Sequence, residues 1–204
     1  MHRSSTRLAT GLAAALAAAP ACAASLQVAL TDAAGKPLAD AVVLLEPASG
    51  KAPVKPLPDV EISQAKRQFN PRVTLVTVGT KVHFPNFDAV RHHVYSFSAA
   101  KTFELKLYSG VPAAPIVFDR PGIAVLGCNI HDRMAAWVVV ADTPWSARSG
   151  PDGIARIDAA PAGAYRLSGW HPALAASTPA SSRLITVGSG EAQETLTLAV
   201  EAQP

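Results

Sequence analysis

Apolar and polar positions alternate along most of this chain with a period of two, the period of half-buried strands. Ser25 to Leu30 alternates, and Asp32 to Pro37 reads as a turn. Ala41 to Glu46 is a second strand, rich in Val and Leu. Residues 47 to 59 carry four prolines plus Gly50 and read as an exposed connection. Val73 to Phe84 holds two short strand pieces broken at Gly79, with Val82 and Phe84 on one face and Lys81 and His83 on the other. Val94 to Phe97 follows, then Phe103 to Tyr108, with Phe103, Leu105 and Leu107 on one side. Ile116 to Phe118, Ile123 to Leu126 and Ala136 to Ala141 are further strands, several bounded by Pro or Gly. After a turn at Ser149 to Gly153 come Ile154 to Asp158, Tyr165 to Trp170, Leu184 to Val187 and Glu194 to Val200. Many short strands with Gly and Pro punctuation predict an all-β protein, a sandwich or barrel with no tandem repeat.

The one helix-like stretch is at the start. Met1 to Arg7 is basic through Arg3 and Arg7, Leu8 to Ala19 is dominated by Ala and Leu, and Ala21-Cys22-Ala23 supplies small residues. That order predicts a secretory signal over residues 1–24 and export to the periplasm. Lipidation at Cys22 is a minor alternative, since Ala19-Pro20-Ala21 fits that signal poorly. The apolar run is short of the ~20 residues a membrane span needs, so no span is expected.

Charge changes the picture little. The chain has 18 Lys+Arg against 15 Asp+Glu. Without Arg3 and Arg7 the balance is 16 against 15, nearly neutral. There is no basic tract, which argues against nucleic acid as a partner. Cysteine usage says more. Of two cysteines, Cys22 leaves with the leader, so Cys128 stands alone in an oxidising compartment. A lone secreted thiol is a buried hydrophobe, a ligand or a nucleophile.

The neighbours of Cys128 separate these. Gly127-Cys128-Asn129-Ile130-His131-Asp132-Arg133-Met134 spaces thiolate, imidazole and thioether three residues apart between two strands. One Cys sulfur, two His nitrogens and a weak axial Met are the donors of a blue-copper site. Zinc is a rival metal, but Met is a poor zinc ligand. A Cys–His nucleophilic pair needs an orienting third residue that the sequence does not display, so no catalytic residue is assigned and no enzyme activity expected. Taken singly, Met134 reads as core filling, His83 as solvated, His171 as packing at a strand end, Trp137 and Tyr95 as core, and Asp132 and Arg133 as ordinary surface charges.

A second histidine must come from elsewhere. Phe84-Pro85-Asn86, a short loop, and then His92-His93-Val94 resemble the cupredoxins, the plastocyanin and amicyanin group. Val78-Gly79-Thr80 and Val82 fit the same pattern, and Cys128-x-x-His131-x-x-Met134 resembles the short ligand loop of amicyanin. The resemblance covers residues 68 to 141. His92-His93-Val94-Tyr95-Ser96-Phe97-Ser98 with Leu126 to Asp132 further resembles periplasmic cupredoxin-domain proteins often labelled methylamine utilisation proteins. The resemblance implies one type 1 copper ion on His92, Cys128, His131 and Met134, with His131 presenting its ring edge as an electron gate. It aligns His93 with a position usually held by Asn. His92 and His93 are adjacent on a strand, so only one can face the metal, and His92 is favoured.

Asp32-x-x-Gly35-Lys36-Pro37-Leu38 and Pro161-Ala162-Gly163 before a Tyr-containing strand resemble a transthyretin-like, carboxypeptidase-regulatory-like module. The expected organisation is a Greek-key cupredoxin sandwich at 58–142, inserted between the module's first strands at 25–48 and its remainder at 149–204. Two domains in series are the alternative. The expected function is one-electron transfer between periplasmic redox proteins, as a monomer. Copper storage or delivery is the second reading. A metal-free adhesion or carbohydrate-binding sandwich leaves the Cys128–Met134 pattern unexplained.

Overall fold

A computed structural model describes residues 24–131, 133–175 and 180–200. The leader with Cys22, and Asp132, lie outside these. The described residues contain strands and no helix, in the order β1 (Ala24–Thr31), β2 (Val42–Pro47), β3 (Val60–Glu61), β4 (Ser63–Ala65), β5 (Gln68–Asn70), β6 (Val73–Thr77), β7 (Thr80–His83), β8 (His92–Ser98), β9 (Lys101–Tyr108), β10 (Ile116–Phe118), β11 (Gly122–Gly127), β12 (Ala135–Ala141), β13 (Ser146–Arg148), β14 (Ile154–Ala160), β15 (Gly163–Trp170), β16 (Ser181–Val187) and β17 (Glu191–Thr197). The all-β class read from the sequence is the class of the structure.

The strands form two sandwiches. In the first, a sheet in the order β14-β1-β17 faces a sheet in the order β13-β2-β15-β16. Leu26, Val28 and Leu30 point inward from β1 and meet Val43, Leu45, Ile157, Tyr165 and Leu167. The intervening β1 residues are partly exposed, which is why this strand alternates. β1 pairs antiparallel with β14 and parallel with β17, so both its neighbours come from the end of the chain.

The second sandwich sets β10-β7-β3 against β6-β12-β11-β8-β9. Its chain crosses between sheets after β6, β7, β9 and β10, giving the Greek-key order. Phe84, Phe118, Leu126 and Val138 fill its core. β12 is apolar throughout for a physical reason. Ala136, Val138 and Val140 face that core, while Val139 packs on Val42 and Val73 against the first sandwich. Strands covered on both faces lose their alternation. Trp137 and Trp170 sit at the same junction with ring centroids 6.5 Å apart, and the Arg72 guanidinium lies 4.9 Å from the Trp137 centroid.

One register differs from the alternation expected. His92 pairs with Tyr108 but Val94 pairs with Leu105, so β9 carries an extra residue there. This bulge turns Leu107 out, 48 % exposed, and Tyr108 in. The Tyr108 hydroxyl donates to the Phe84 carbonyl oxygen at 2.6 Å and accepts from Gln64 Nε2. Burial pushes its pKa up to about 12.

His171 packs at the end of β15, as expected. Its Nε2–H donates to the Ala39 carbonyl oxygen at 3.1 Å, and its Nδ1 accepts the Ala173 N–H at 3.1 Å. Only a neutral ring can do both. Burial lowers its pKa below the ordinary 6.5, against the opposing pull of the Ala39 carbonyl and Asp40. The unfolded chain therefore takes up this proton first. Its contribution to stability is complete above about pH 6.5 and is lost as pH falls through the lower folded value. The difference in melting temperature between wild type and His171→Asn is expected to be constant above about pH 7 and to shrink below about pH 6, measured by calorimetry.

Candidate metal centre

The loops at one end of the second sandwich converge. The segment after β7 is held by Asn86, whose backbone N–H donates to the Gly110 carbonyl oxygen at 2.8 Å. Its side-chain Nδ2–H donates to the Val90 and Tyr108 carbonyl oxygens at 2.9 and 3.0 Å, and its Oδ1 accepts the Asp88 N–H at 3.0 Å. Asn86 therefore fixes the loop that leads into β8 and delivers His92 to the interior. Cys128 leaves the end of β11. The chain then turns tightly, with the Met134 N–H donating to the His131 carbonyl oxygen at 2.9 Å.

These elements bring His92, Cys128 and His131 together, one ligand atom of each within 4.8 Å of the others. His92 Nδ1 lies 3.9 Å from Cys128 Sγ. The His92 and His131 rings meet edge to face with centroids 5.0 Å apart. His92 is wholly buried, Cys128 is 5 % exposed and Met134 2 %. Met134 packs in the same core cluster as Cys128. His131 is partly exposed, yet its Nδ1 is buried and has no hydrogen-bond partner.

His93 points the other way, to the outer face of the sheet. Its ring is 5.5 Å from that of Tyr95. Its Nε2 is 3.0 Å from Glu104 Oε1, near enough for an ion pair but out of line for a hydrogen bond. The Tyr95 ring covers Gly127, where a Cβ would come within 2.6 Å of Tyr95 Cζ. Of the other titratable residues weighed, His83 is half-buried 3.7 Å from Asp59, and His171 is remote.

Asp88 was not legible as a site residue, and it is the closest polar partner of His92. Its Oδ2 lies 2.8 Å from His92 Nε2 and accepts the Arg67 N–H at 2.9 Å, while Oδ1 accepts the Lys66 N–H at 2.7 Å. Burial raises the Asp88 pKa, but the hydrogen bonds from the Arg67 amide, His92 and the Lys66 amide together outweigh it and hold the carboxyl below the usual carboxylate value. An ionised Asp88 keeps the proton of His92 on Nε2 and leaves the Nδ1 lone pair facing Cys128. The amides come from the β4–β5 hairpin, whose loop residues Lys66 and Arg67 have φ of 55° and 58°. Left-handed backbone at a non-glycine residue costs roughly 1–2 kcal/mol each.

The three donors fit a soft or borderline transition metal. Thiolate and imidazole are the ligands such ions prefer, the unpartnered His131 Nδ1 is accounted for by one, and the Asp88 contact at His92 Nε2 leaves Nδ1 as the ring nitrogen that faces Cys128.

No family model and no curated protein matches the chain. Its likenesses are to solved structures. The Cu-containing nitrite reductase of Thermus scotoductus SA-01 aligns at 25 % identity and a TM-score of 0.38 over 55 % of this chain. The purple cupredoxin of Nitrosopumilus maritimus aligns at 22 % identity and a TM-score of 0.35 over 40 % of this chain and 98 % of its own. A reduced amicyanin variant aligns at 20 % identity and a TM-score of 0.37 over 50 % of this chain and 98 % of its own. At these scores the fold rests on the strand pairing above. The aligned part spans only 28 % of the nitrite reductase chain.

Proposed function

We propose that this protein is a periplasmic type 1 copper protein that carries single electrons, with one ion held by His92, Cys128, His131 and Met134. The observation that carries the reading is the buried convergence of His92, Cys128 and His131 within 4.8 Å. Bound copper supplies a one-electron couple at this site. His92, Cys128, His131 and Met134 would hold the ion, with Cys128 as the strongest donor and the electronic route into the protein and Met134 as the weakest. The chain's part is to hold these donors still, so that little rearranges when the charge changes. His131 is the most exposed of the four and serves as the gate. Phe87, 65 % exposed, Val90 and Ile130 lie in the same loops and form an apolar landing face for a redox protein. We further propose that the sandwich of β3 to β12 is a domain nested within the sandwich of β1, β2 and β13 to β17. The pairing of β1 with β14 and β17 supports this arrangement.

Storage or delivery requires an exchangeable site, and the closure of His92 and Cys128 speaks against it. The test is made on the mature protein loaded with Cu(II). One equivalent of ascorbate-derived electrons should bleach an intense visible band, and ferricyanide should restore it. A Cu(I) chelator in modest excess should remove the metal only slowly. Rapid stripping of the metal in either oxidation state rules out the carrier reading in favour of delivery.

A further inference from the structure

The β4–β5 hairpin supplies none of the four proposed ligands, yet its turn is bonded to Asp88, which contacts one of them. We propose that this hairpin is a working part of the metal centre, a clamp that fixes the tautomer and orientation of His92 through Asp88. A two-residue hairpin loop of type I′ needs positive φ at both loop residues, a requirement normally met by Asn-Gly. Here Ala65 pairs with Gln68, so the loop is Lys66-Arg67, and both residues take that conformation. The turn leaves two backbone N–H groups without partners inside the hairpin, and both are delivered to Asp88, one to each carboxylate oxygen. With two amides fixed on it, the carboxylate keeps one orientation and presents Oδ2 to His92 Nε2.

The hairpin is anchored to the same region by its other strand residues. The Gln64 N–H donates to the Pro85 carbonyl oxygen and the Phe87 N–H to the Gln64 carbonyl oxygen, each at 2.8 Å. Gln64 is fully buried, and its Nε2–H reaches the Phe84 carbonyl oxygen and the Tyr108 hydroxyl. β4 thus runs beside the loop that carries Asp88, and the turn geometry aims the amides. The side chains of Lys66 and Arg67 are exposed and take no part. Lys66 and Arg67 are positioning residues acting through their backbones.

The inference rests on the copper reading for its affinity readout only, because the tautomer can be read without metal. Imidazole nitrogen NMR on the metal-free full chain is expected to show His92 as the Nε2–H form. Inserting Gly-Ser between Lys66 and Arg67 opens the turn and should shift His92 toward the Nδ1–H form and weaken Cu(I) binding on the order of 10–100-fold, the usual cost of losing an outer-sphere partner. Asp88→Asn, which can offer His92 an N–H, should produce the same tautomer shift and serves if the insertion disturbs folding. Lys66→Asn with Arg67→Gly keeps both amides and should keep the wild-type tautomer and affinity. A wild-type Nδ1–H form, an unshifted tautomer in Asp88→Asn, or an unshifted tautomer in a folded insertion variant each overturns the proposal. Failure of the wild type itself to bind copper, with the tautomer shifts intact, leaves the clamp standing and removes the copper reading instead.

Discussion

Cys128→Ser is expected to abolish the intense visible band of the Cu(II)-loaded protein and to weaken Cu(I) binding by on the order of 100-fold or more, the loss of a direct ligand exceeding that of an outer-sphere partner. The band requires sulfur bound to copper, and serine offers a hard oxygen in its place. The fold should survive. Cys128 is 5 % exposed and serine is nearly isosteric, so the cost is that of burying one hydroxyl, about 1–3 kcal/mol. His92 and His131 remain, and two imidazoles still hold Cu(II) weakly. The paired readouts are an absorption spectrum and a far-ultraviolet dichroism melt on both proteins. A variant that keeps the band shows that Cys128 is not a ligand. A wild type that binds copper tightly without the band points to storage or delivery through a different geometry, and one that binds no copper returns Cys128 to the role of a buried thiol. By contrast, His93→Asn should leave the band in place, because His93 faces Glu104 on the outer side of the sheet.

The parts of the site read most easily were those adjacent in sequence. Cys128, His131 and Met134 lie on one short loop, so spacing alone placed three donors together. His92 came from pattern resemblance and from strand alternation, which allows one of two neighbouring histidines to face inward. Asp88 and the β4–β5 hairpin were hidden because their contribution runs through backbone amides. Ser63 to Asn70 is polar at nearly every position and reads as loop, and Lys66-Arg67 shows none of the Asn-Gly chemistry that marks a two-residue turn. The β9 bulge was hidden for a related reason. Leu107 continues the alternation of Phe103 and Leu105, yet one extra residue reverses the faces and buries Tyr108 where it can meet Phe84 and Gln64. Alternation reports which residues prefer an interior, and it does not report where a strand slips. The continuous apolar run of β12 was informative in hindsight, since both faces of that strand are covered.

Gly153→Ala is expected to destabilise the first sandwich strongly. Gly153 sits in the turn before β14 with φ of +73°, and its N–H donates to the Gly150 carbonyl oxygen at 2.9 Å. A Cβ there would come within 2.8 Å of the Leu30 carbonyl oxygen, 2.9 Å of Pro37 Cβ and 3.0 Å of the Leu38 nitrogen. Two of these are backbone atoms, so no rotamer change relieves them. The left-handed conformation adds about 1–2 kcal/mol, and overpacking about 1–3 kcal/mol. At roughly 2–4 °C per kcal/mol for a chain of this size, the melting temperature should fall by at least ~4 °C. The disturbance strikes where β1, the turn after it and β14 meet, and β1 and β14 close the first sandwich. The proposed copper donors are all in the second sandwich, whose core is separate and whose apolar contact with the first is the small cluster around Val42, Val73 and Val139. Copper affinity and the visible band at 25 °C should therefore remain within about twofold of wild type. A band that weakens in step with the loss of the first sandwich means instead that the Trp137–Trp170 junction makes the two sandwiches one cooperative unit, and that the outer sandwich is needed to hold the ligand loops in place.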